Sequence, residues 1–449
     1  MERGTTIEAT QAGLNRAILA IALPAMLTNV ATALFGLADM WVIGQLGDAA
    51  AQGGVEVGAR LLMALLTVFN FLRSSTVALA AQAAGRGDEP AQAEVLVRAL
   101  GAAAAVGALL LAAMPLVVPF GLQLLGAHGS TAELARAYVD IRYWSAAPWL
   151  FNAVLTGWLI GRRQVRAVLG VEVAANLAHV LLDVALVLGL GLGVAGVAAA
   201  TLASETAKLG ALAAMAWREG PAKRALAVAG RPRTWAPAEL GALFRLNRDL
   251  FARTVLLMGA VMLLTRTGAE QGAVVLAANA IIYQLFMLSA LMLDGFESAA
   301  QVLCGEALGA RDERRFARLV RALLAWGGAA ALAISLIYAV AGAQLAASFS
   351  TAPEVIAALR RYLGWLVLLP AAGVASFVFD GVFIGSSWTR AMLQTMAAAL
   401  LGYVALLWLG RPLGNHGLWL AYAVFFLLRA AGQLALLPRL VRRSFVQHT

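Results

Sequence analysis

The chain has 449 residues, of which 61% are hydrophobic and only 13% are charged, with a formal net charge of +10. A soluble protein carries about 25% charged residues, so most of this chain's surface must face something other than water. Apolar runs of about 20 residues recur along the chain, which suits helices that cross a bilayer and is too long for the strands of a barrel. The composition therefore excludes a soluble protein and predicts an all-α polytopic membrane protein.

The apolar runs predict twelve membrane spans. Their approximate limits, in chain order, are residues 15–45, 58–84, 97–124, 138–160, 166–190, 193–216, 250–268, 273–305, 317–346, 358–385, 391–410 and 416–437. The polar N-terminal stretch has no small-residue cleavage site, which predicts an uncleaved first span. The single cysteine, Cys304, excludes an internal disulfide framework and a cysteine-based metal cluster.

The basic residues are distributed unevenly between the two sides of the predicted membrane. Most of the 34 lie in the loops and termini of one side, including a group between Arg218 and Arg253. Because cytoplasmic loops are enriched in Lys and Arg, this asymmetry places both termini and the 217–249 connection in the cytoplasm. The positive charge is therefore a topology signal, and we expect no nucleic-acid partner.

The two halves of the chain resemble each other at an offset of about 223 residues. QAAGRGDE (82–89) matches EALGARDE (306–313), and Pro148 matches Pro370. Six spans per half is an even number, so the repeat is parallel, with a pseudo-two-fold axis along the membrane normal. Two equivalent six-helix bundles suit alternating access. The predicted domains are an N-terminal lobe (1–216), a cytoplasmic linker (217–249) and a C-terminal lobe (250–449).

An aspartate, Asp39, interrupts the apolar first span within FGLADMWVIG. An ionisable residue inside a span costs at least about 2.5–3.5 kcal/mol, so it normally faces a cavity or a partner. At 1.5 Å per residue, Asp39, Asp183 and Thr201 fall at one depth, about 10 Å below the outer surface. His179 lies one turn from Asp183 on the same helix face, and Asn176 lies three residues deeper. We predict a cation-coupling site from these five residues.

Three interpretations of this group remain open at the level of sequence. Carboxylic acids that are buried close together hold a proton more tightly than in water and exchange it near neutral pH, as H⁺ coupling requires. The same oxygen atoms also suit Na⁺. The third interpretation is purely structural, with hydrogen bonds that hold the helices together.

The other ionisable residues within spans are candidates for substrate binding or gating. Asp294 and Glu297 in the eighth span and Asp380 in the tenth lie nearer the cytoplasmic end. Arg73 and Arg253 are placed to pair with carboxylates, either as gating contacts or as plain salt bridges.

Large flexible or aromatic side chains are further candidates for contact with cargo. Trp41, Met258 and Met287 belong to this class, because methionine adapts to irregular apolar ligands. Ordinary helix packing is the alternative interpretation of the methionines.

The sequence contains no nucleotide-binding or zinc-protease motif. Transport would therefore draw on an ion gradient, in which one charge moving across 100 mV yields about 2.3 kcal/mol. We expect no cofactor, with H⁺ as the coupling ion and Na⁺ as the alternative. A membrane enzyme would need acidic metal motifs in its loops, and the acidic pairs at 88–89 and 312–313 lie among arginines. The sequence therefore does not indicate an enzyme.

Several segments, taken in their order and spacing, resemble the multidrug and toxic compound extrusion (MATE) family in its prokaryotic DinF-type branch. The resemblance covers nearly the whole chain and implies a V-shaped pair of six-helix bundles that exports amphipathic, often cationic compounds by H⁺ or Na⁺ antiport. The segments are IALPAMLTNVATALFGLADMWVIGQLG (21–47), ALAAQAAGRGDE (78–89), LLDVALVLGLGLGVAGVAAAT (181–201), LMLDGFESAAQVLCGEALGA (291–310), FDGVFIG (379–385) and LGNHGLWLAYAVFFLLR (413–429).

The resemblance also implies roles for individual residues. Asp39 matches the aspartate at the centre of cation coupling in this branch, and Asp183 and Thr201 match its companions. Pro24 matches the proline at which the first span is proposed to bend, a conformational hinge. The branch usually has asparagine where this chain has His179, and histidine offers no oxygen to a cation. This departure favours protons over Na⁺, since histidine itself titrates.

The resemblance implies a multi-pass protein of the plasma (inner) membrane of a prokaryote. Its expected partners are small amphipathic or cationic drugs and dyes and the lipid bilayer, and we expect a monomer. A lipid or lipid-linked-sugar flippase of the same superfamily is an alternative function. The spans hold only three basic residues (Arg73, Lys208 and Arg429) against several carboxylates, which suits cationic or neutral cargo better.

Overall fold

The structure is a computed structural model that describes residues 11–446, apart from the side chains of residues 33–38 and 446. Residues 1–10 and 447–449 lie outside the described part. The prediction of an uncleaved polar N-terminal stretch therefore concerns residues that are largely outside the described range.

The described residues form twelve long helical segments, in the order of the predicted spans. In the first half of the chain the helices are α1 (Gln11–Gly44), α2 (Ala49–Thr67), α3 (Phe71–Gly85), α4 (Glu89–Leu124), α5 (Gly129–Arg142), α6 (Ala146–Gly161), α7 (Val165–Asp183) and α8 (Gly193–Arg218). Two short helices follow, α9 (Gly220–Lys223) and α10 (Ala225–Ala229). The second half contains α11 (Pro237–Ala269), α12 (Ala273–Gly309), α13 (Glu313–Ala347), α14 (Pro353–Gly385), α15 (Thr389–Leu409) and α16 (Asn415–Val446).

Three segments contain irregular turns. A 3₁₀ turn, Val68–Asn70, joins α2 to α3, and a second one, Tyr143–Ser145, joins α5 to α6. A π-helical turn, Val184–Gly189, follows Asp183 directly. Such π-turns are frequent at functional sites, so the end of α7 is a place where backbone irregularity and a buried carboxylate coincide.

Ten of the twelve segments are long and apolar enough to cross a membrane. The segments that carry the predicted fourth and sixth spans, residues 129–161 and 193–218, are not among these ten. Several ionisable residues lower their apolar character, among them Arg136 and Asp140 in α5 and Glu205 and Lys208 in α8. No strand occurs between residues 11 and 446, so the prediction of an all-α polytopic membrane protein is confirmed.

The chain divides into two compact units. One unit comprises Leu27–Phe244, and the other comprises Met1–Met26 with Arg245–Thr449. The division falls inside α1, two residues after Pro24. We call these the N-terminal unit and the C-terminal unit; the boundaries at 216 and 250 that the sequence suggested stay a prediction.

The internal repeat is visible in how glycines pack within each unit. A Cβ atom on Gly157 of α6 would lie 2.6 Å from the backbone oxygen of Arg73 in α3. In the C-terminal unit, a Cβ atom on Gly381 of α14 would lie 2.3 Å from the backbone oxygen of Glu297 in α12. Each unit therefore contains the same close helix contact, which only glycine permits.

The repeated GRGDE and GARDE motifs act as helix starts. The Asp88 carboxylate accepts a hydrogen bond from the Ala91 backbone N–H (2.9 Å), and the Asp312 carboxylate accepts one from the Arg315 backbone N–H (2.8 Å). Both contacts are N-caps, of α4 and α13 respectively. The aspartate of each acidic pair thus caps an equivalent helix.

Candidate functional site: a carboxylate–histidine cluster in the N-terminal unit

Three ionisable side chains meet in the N-terminal unit. His179 Nε2 lies 2.7 Å from Asp39 Oδ1 and 3.2 Å from Asp183 Oδ2. Their potential ligand atoms all lie within 4.8 Å of one another. The side chains of Asp39 and His179 are 13% and 11% exposed, and that of Asp183 is fully buried. The sequence-based depth estimate thus brought together residues that α1 and α7 do place in contact.

The helix geometry explains why His179 bridges the two carboxylates. His179 and Asp183 are four residues apart on α7, so their side chains lie on one face. Asp39, near the end of α1, supplies the second carboxylate. We call Asp39, His179 and Asp183 the coupling cluster.

Ser204 of α8 fixes the orientation of the histidine ring, and the sequence reasoning missed it. Its hydroxyl oxygen lies 3.2 Å from His179 Nδ1, and its own proton is donated to the Thr201 backbone oxygen (3.0 Å). In the arrangement in which Ser204 donates to Thr201, Nδ1 of His179 is the donor to Ser204 Oγ and Nε2 faces the carboxylates. A helical spacing of three residues from Thr201 is the signal that would have found Ser204.

The two protonation states of this cluster follow from that orientation. With Nδ1–H directed at Ser204, a neutral His179 presents the lone pair of Nε2 to a protonated Asp39 or Asp183. A protonated His179 instead donates from Nε2 to an ionised carboxylate. One proton can therefore move between His179 Nε2 and a carboxylate of the cluster without rearranging its heavy atoms.

Asp183 depends on this histidine. Neither of its carboxylate oxygens has a hydrogen-bond partner of good geometry among the described residues, and His179 Nε2 at 3.2 Å is its ion-pair contact. A buried carboxylate without hydrogen bonds needs a counter-charge or a proton. Asp183 therefore favours states in which the cluster carries at least one proton.

The other two predicted members of the site lie beside the cluster. The Thr201 hydroxyl donates to the Val197 backbone oxygen (3.1 Å), and the structure shows no hydrogen bond from it to either carboxylate among the described residues. Asn176 lies on the same face of α7, and its buried Nδ2 atom has no hydrogen-bond partner in the described part of the chain.

Arg142 and Tyr138 of α5 also influence the cluster, and the sequence analysis singled out neither of them. The Arg142 guanidinium donates to the Tyr138 hydroxyl and lies 5.3 Å from the centre of its ring. Arg142 interacts electrostatically with Asp39 and Asp183. A permanent positive charge thus stabilises negative charge on the cluster without a hydrogen bond to it among the described residues.

The C-terminal unit contains a different buried charge cluster. Asp380 of α14 accepts hydrogen bonds from Arg253 of α11, from Arg429 of α16 and, at 2.7 Å, from Gln433 Nε2. The pairing of Arg253 with a carboxylate was anticipated; the pairing of Arg429 was not. We call these four residues the Asp380 clamp.

The remaining candidates have separate environments. Asp294 and Glu297 of α12 interact electrostatically with Arg253, and Arg73 of α3 interacts with Lys208 of α8. The Trp41 side chain is 59% exposed. The methionines Met258 and Met287 are partly exposed on α11 and α12 of the C-terminal unit.

A repeated set of six helical segments with buried ionisable residues is typical of membrane transporters. The family model described as MatE matches residues 24–185 and 251–409, which is more than half of the chain. The chain therefore belongs to the MatE family, a family of multi-pass membrane transporters. The resemblance to this family that the sequence suggested is confirmed.

Individual relatives extend over nearly the whole chain. DNA damage-inducible protein F of Escherichia coli (strain K12) is 35% identical over 425 residues, covering 95% of this chain and 92% of that protein. A probable multidrug resistance protein NorM of Bradyrhizobium diazoefficiens is 28% identical over 474 residues, covering 95% and 94%. A crystal structure of MATE in the bent conformation is similar with a TM-score of 0.87 at 20% identity, covering 99% of each chain.

Proposed function

We propose that this chain is a secondary active efflux antiporter that exports amphipathic or cationic compounds in exchange for H⁺ by alternating access. Protonation of Asp39 and Asp183 is the proposed coupling step. The observation that carries the proposal is the single nitrogen, His179 Nε2, within 3.2 Å of both carboxylates. Membership of the MatE family and the multidrug resistance names of the NorM relatives support the choice of cargo.

Charge balance explains how the cluster couples the two fluxes. With both aspartates ionised and His179 protonated, the three residues carry a net charge of −1, which attracts a cationic cargo or a further proton. Either of them neutralises the site, and buried charge is costly when it is left uncompensated. Proton and cationic cargo therefore compete, which is the requirement for exchange.

Pro24 is proposed as the hinge that responds to this change. It lies inside α1, the helix that also carries Asp39 fifteen residues later. Proline has no backbone N–H and removes one helical hydrogen bond, so the helix bends there at lower cost. A change in the contact between Asp39 and His179 alters the position of the second half of α1, and Pro24 is where the helix accommodates it.

Na⁺ coupling is the second candidate, and one observation favours it: three possible ligands lie within 4.8 Å of one another. The donor set fits Na⁺ poorly, however. Hard cations of this kind prefer oxygen ligands, whereas His179 contributes a nitrogen that is directed at the two carboxylates. The Thr201 hydroxyl is engaged with the Val197 oxygen on its own helix. These contacts support H⁺ as the coupling ion.

Orientation, location and assembly belong to the same proposal. We place both termini in the cytoplasm of a prokaryotic inner membrane and regard the monomer as the functional unit. Asp294, Asp380 and Arg73 remain proposed gating residues, and Trp41, Met258 and Met287 remain proposed cargo contacts.

The proposal is tested with everted membrane vesicles in which an imposed pH gradient drives uptake of ethidium, an amphipathic cationic dye. We expect Asp39→Asn to reduce uptake to the level of empty vesicles, because one carboxylate of the cluster can no longer carry a proton. Asp140→Asn is the matched control, since Asp140 makes an exposed pair with Arg136 of α5 (3.1 Å). Uptake by Asp39→Asn at the wild-type rate would refute the coupling assignment.

A Na⁺ gradient in the same vesicles, without a pH gradient, decides between the two ions. We expect no uptake by the wild type under these conditions. We expect His179→Asn, which replaces the nitrogen by an amide oxygen, to weaken the dependence on the pH gradient and to permit response to Na⁺. Robust Na⁺-driven uptake by the wild type would overturn the choice of H⁺.

A further inference from the structure

A second group of charged residues lies in the N-terminal unit, and the proposed coupling step does not use it. Lys208 Nζ of α8 lies 2.7 Å from Glu172 Oε2 of α7, and these side chains are only 14% and 11% exposed. A buried ion pair seldom adds stability compared with apolar residues of similar volume. We therefore expect this pair to have a role other than holding the two helices together.

The helix register connects this pair to the coupling cluster. On α7, Glu172, Asn176, His179 and Asp183 follow one another at intervals of four, three and four residues, which places them on one face. On α8, Thr201, Ser204 and Lys208 follow the same rule. We call these seven residues the α7–α8 seam. At 1.5 Å per residue, Glu172 lies about 16 Å along α7 from Asp183, toward the predicted cytoplasmic side.

Close polar contacts link the residues at the end of the seam that contains the coupling cluster. His179 Nε2 contacts both aspartates, and its Nδ1, on the opposite edge of the ring, contacts Ser204 Oγ at 3.2 Å. A proton that arrives at Nε2 can therefore be matched by release of the proton at Nδ1. The imidazole ring of His179 therefore connects the two aspartates to Ser204.

Asn176 lies between His179 and the Glu172–Lys208 pair. Its buried Nδ2 atom has no hydrogen-bond partner among the described residues. Buried amide groups are almost always hydrogen-bonded, and where the protein provides no acceptor, water does. We therefore expect water to hydrate the seam at Asn176.

The charges around the Glu172–Lys208 pair balance each other. Lys208 interacts electrostatically with Glu205 and Arg73 as well as with Glu172. The Glu205 carboxylate accepts a hydrogen bond from Asn152 Nδ2 at 2.7 Å. If Glu172 takes up a proton, Lys208 still has Glu205 as a counter-charge, so protonation of Glu172 does not isolate a buried cation.

A separate group of polar contacts lies where α7 begins and α8 ends. Arg162 Nη2 and Gln164 Nε2, which precede α7, donate to the Glu219 carboxylate after α8 at 2.6 and 3.1 Å. The Glu219 side chain is 23% exposed. A proton leaving Glu172 therefore finds a partly exposed acceptor at Glu219, about 16 Å beyond Lys208 along α8.

We propose that the α7–α8 seam is a proton conduit between the coupling cluster and the cytoplasmic surface, with Glu172 as the proton acceptor below His179. The inference rests on the proposed H⁺ coupling. The His179 imidazolium gives its Nδ1 proton to Ser204 Oγ, and the Ser204 hydroxyl turns from the Thr201 oxygen and releases its own proton to water at Asn176. That water passes a proton to the Glu172 carboxylate, which becomes a carboxylic acid. Release to water beside Glu219 regenerates the carboxylate and its pair with Lys208. Lys208 is a positioning residue.

Two transport modes in proteoliposomes separate this role from a structural one. Net antiport of ethidium against an imposed pH gradient requires proton transfer, whereas exchange of labelled for unlabelled ethidium does not. We expect Glu172→Gln to lower net antiport several-fold and to leave exchange unchanged, and Glu172→Asp to restore net antiport. Glu94→Gln is the matched control, because it removes a similarly buried ion pair with Arg98 (2.9 Å) from α4; both of its rates should equal those of the wild type.

The outcomes distinguish the conduit from the proposed function. Equal loss of both modes in Glu172→Gln, or no loss in either, overturns the conduit while wild-type coupling stands. A wild type whose net transport ignores the pH gradient overturns the H⁺ antiport itself and the conduit with it.

Cysteine accessibility gives a second measurement that does not depend on transport. The native Cys304 is fully buried and is replaced in the background variant Cys304→Ala. We expect Asn176→Cys to react with a charged methanethiosulfonate from the cytoplasmic side. Leu181→Cys, whose native side chain is apolar and 71% exposed on the same helix, should face lipid and remain unmodified. Equal lack of reaction at both positions would overturn a hydrated seam.

Discussion

The two units of this chain treat a buried aspartate in opposite ways. In the N-terminal unit, Asp39 and Asp183 share one histidine nitrogen. In the C-terminal unit, Asp380 accepts hydrogen bonds from two arginines and a glutamine. Histidine changes its charge near neutral pH, whereas arginine stays charged. A duplicated framework thus holds one cluster able to change its charge and one whose charge is fixed.

This difference assigns separate tasks to the two units. The coupling cluster can exchange protons because its one hydrogen-bonded cation is titratable, and the described residues place no guanidinium in hydrogen bonds to its carboxylates. The Asp380 clamp joins α11, α14 and α16 through a permanent network and is suited to holding those helices together. The following predictions test that contrast, beginning with the largest expected effect.

Removing the Asp380 charge should destabilise the fold more than removing the Asp39 charge. Asp380→Asn leaves Arg253 and Arg429 buried without the carboxylate that accepts their hydrogen bonds, so we expect a loss of about 3–5 kcal/mol in the free energy of unfolding. Asp39→Asn keeps a polar partner for His179 and should unfold at nearly the wild-type temperature. Thermal unfolding in detergent measures both. An Asp380→Asn protein as stable as Asp39→Asn would contradict the contrast.

The repeated glycine contacts should be equally sensitive in the two units. Gly157→Ala and Gly381→Ala place a methyl group within 2.6 and 2.3 Å of a backbone oxygen, so each should lower stability by about 1–3 kcal/mol. Gly170→Ala and Gly328→Ala are controls, since nothing lies within 4 Å of an added Cβ atom at either position. If only one unit were destabilised, the two helix contacts would not be equivalent.

The smallest effect is expected from the group that orients the histidine. Ser204→Ala removes one hydrogen bond to His179, worth about 0.5–1.5 kcal/mol, and should slow proton-driven uptake by up to about tenfold. Thr206→Ala removes a comparable hydroxyl of α8, which donates to the Leu202 oxygen at 2.7 Å, and should have no effect. Equal uptake by both variants would show that Ser204 does not position the ring.

The sequence predicted the helical class, the repeat and the coupling cluster because each leaves a pattern in composition or spacing. Asp183 and His179 are four residues apart, and counting residues from the span ends placed Asp39 at the same depth. Ser204 was missed because a serine in a helix usually bonds to its own backbone, as this one also does. Arg142 was not singled out because its contact with Tyr138 and its effect on Asp39 depend on how α5 packs, which residue spacing does not reveal.

The Asp380 clamp shows why other contacts could not be predicted. Arg429 and Asp380 are separated by 49 residues, and no spacing rule connects residues on different helices. Their contact depends on how α14 packs against α16, which the sequence of either helix alone does not specify. Depth within the membrane gives the position of a residue along one axis only. It can therefore identify residues at the same level, but it does not show which of them are in contact.

The most direct test of the coupling claim is the number of protons released when ethidium binds to the purified protein in weakly buffered solution. The account predicts release of about one proton per bound dye by the wild type, and the same release by Gly170→Ala. Asp39→Asn should bind the dye and release none. Dye binding by the wild type without proton release, or unchanged release by Asp39→Asn, would contradict the proposal that this cluster exchanges H⁺ for cargo.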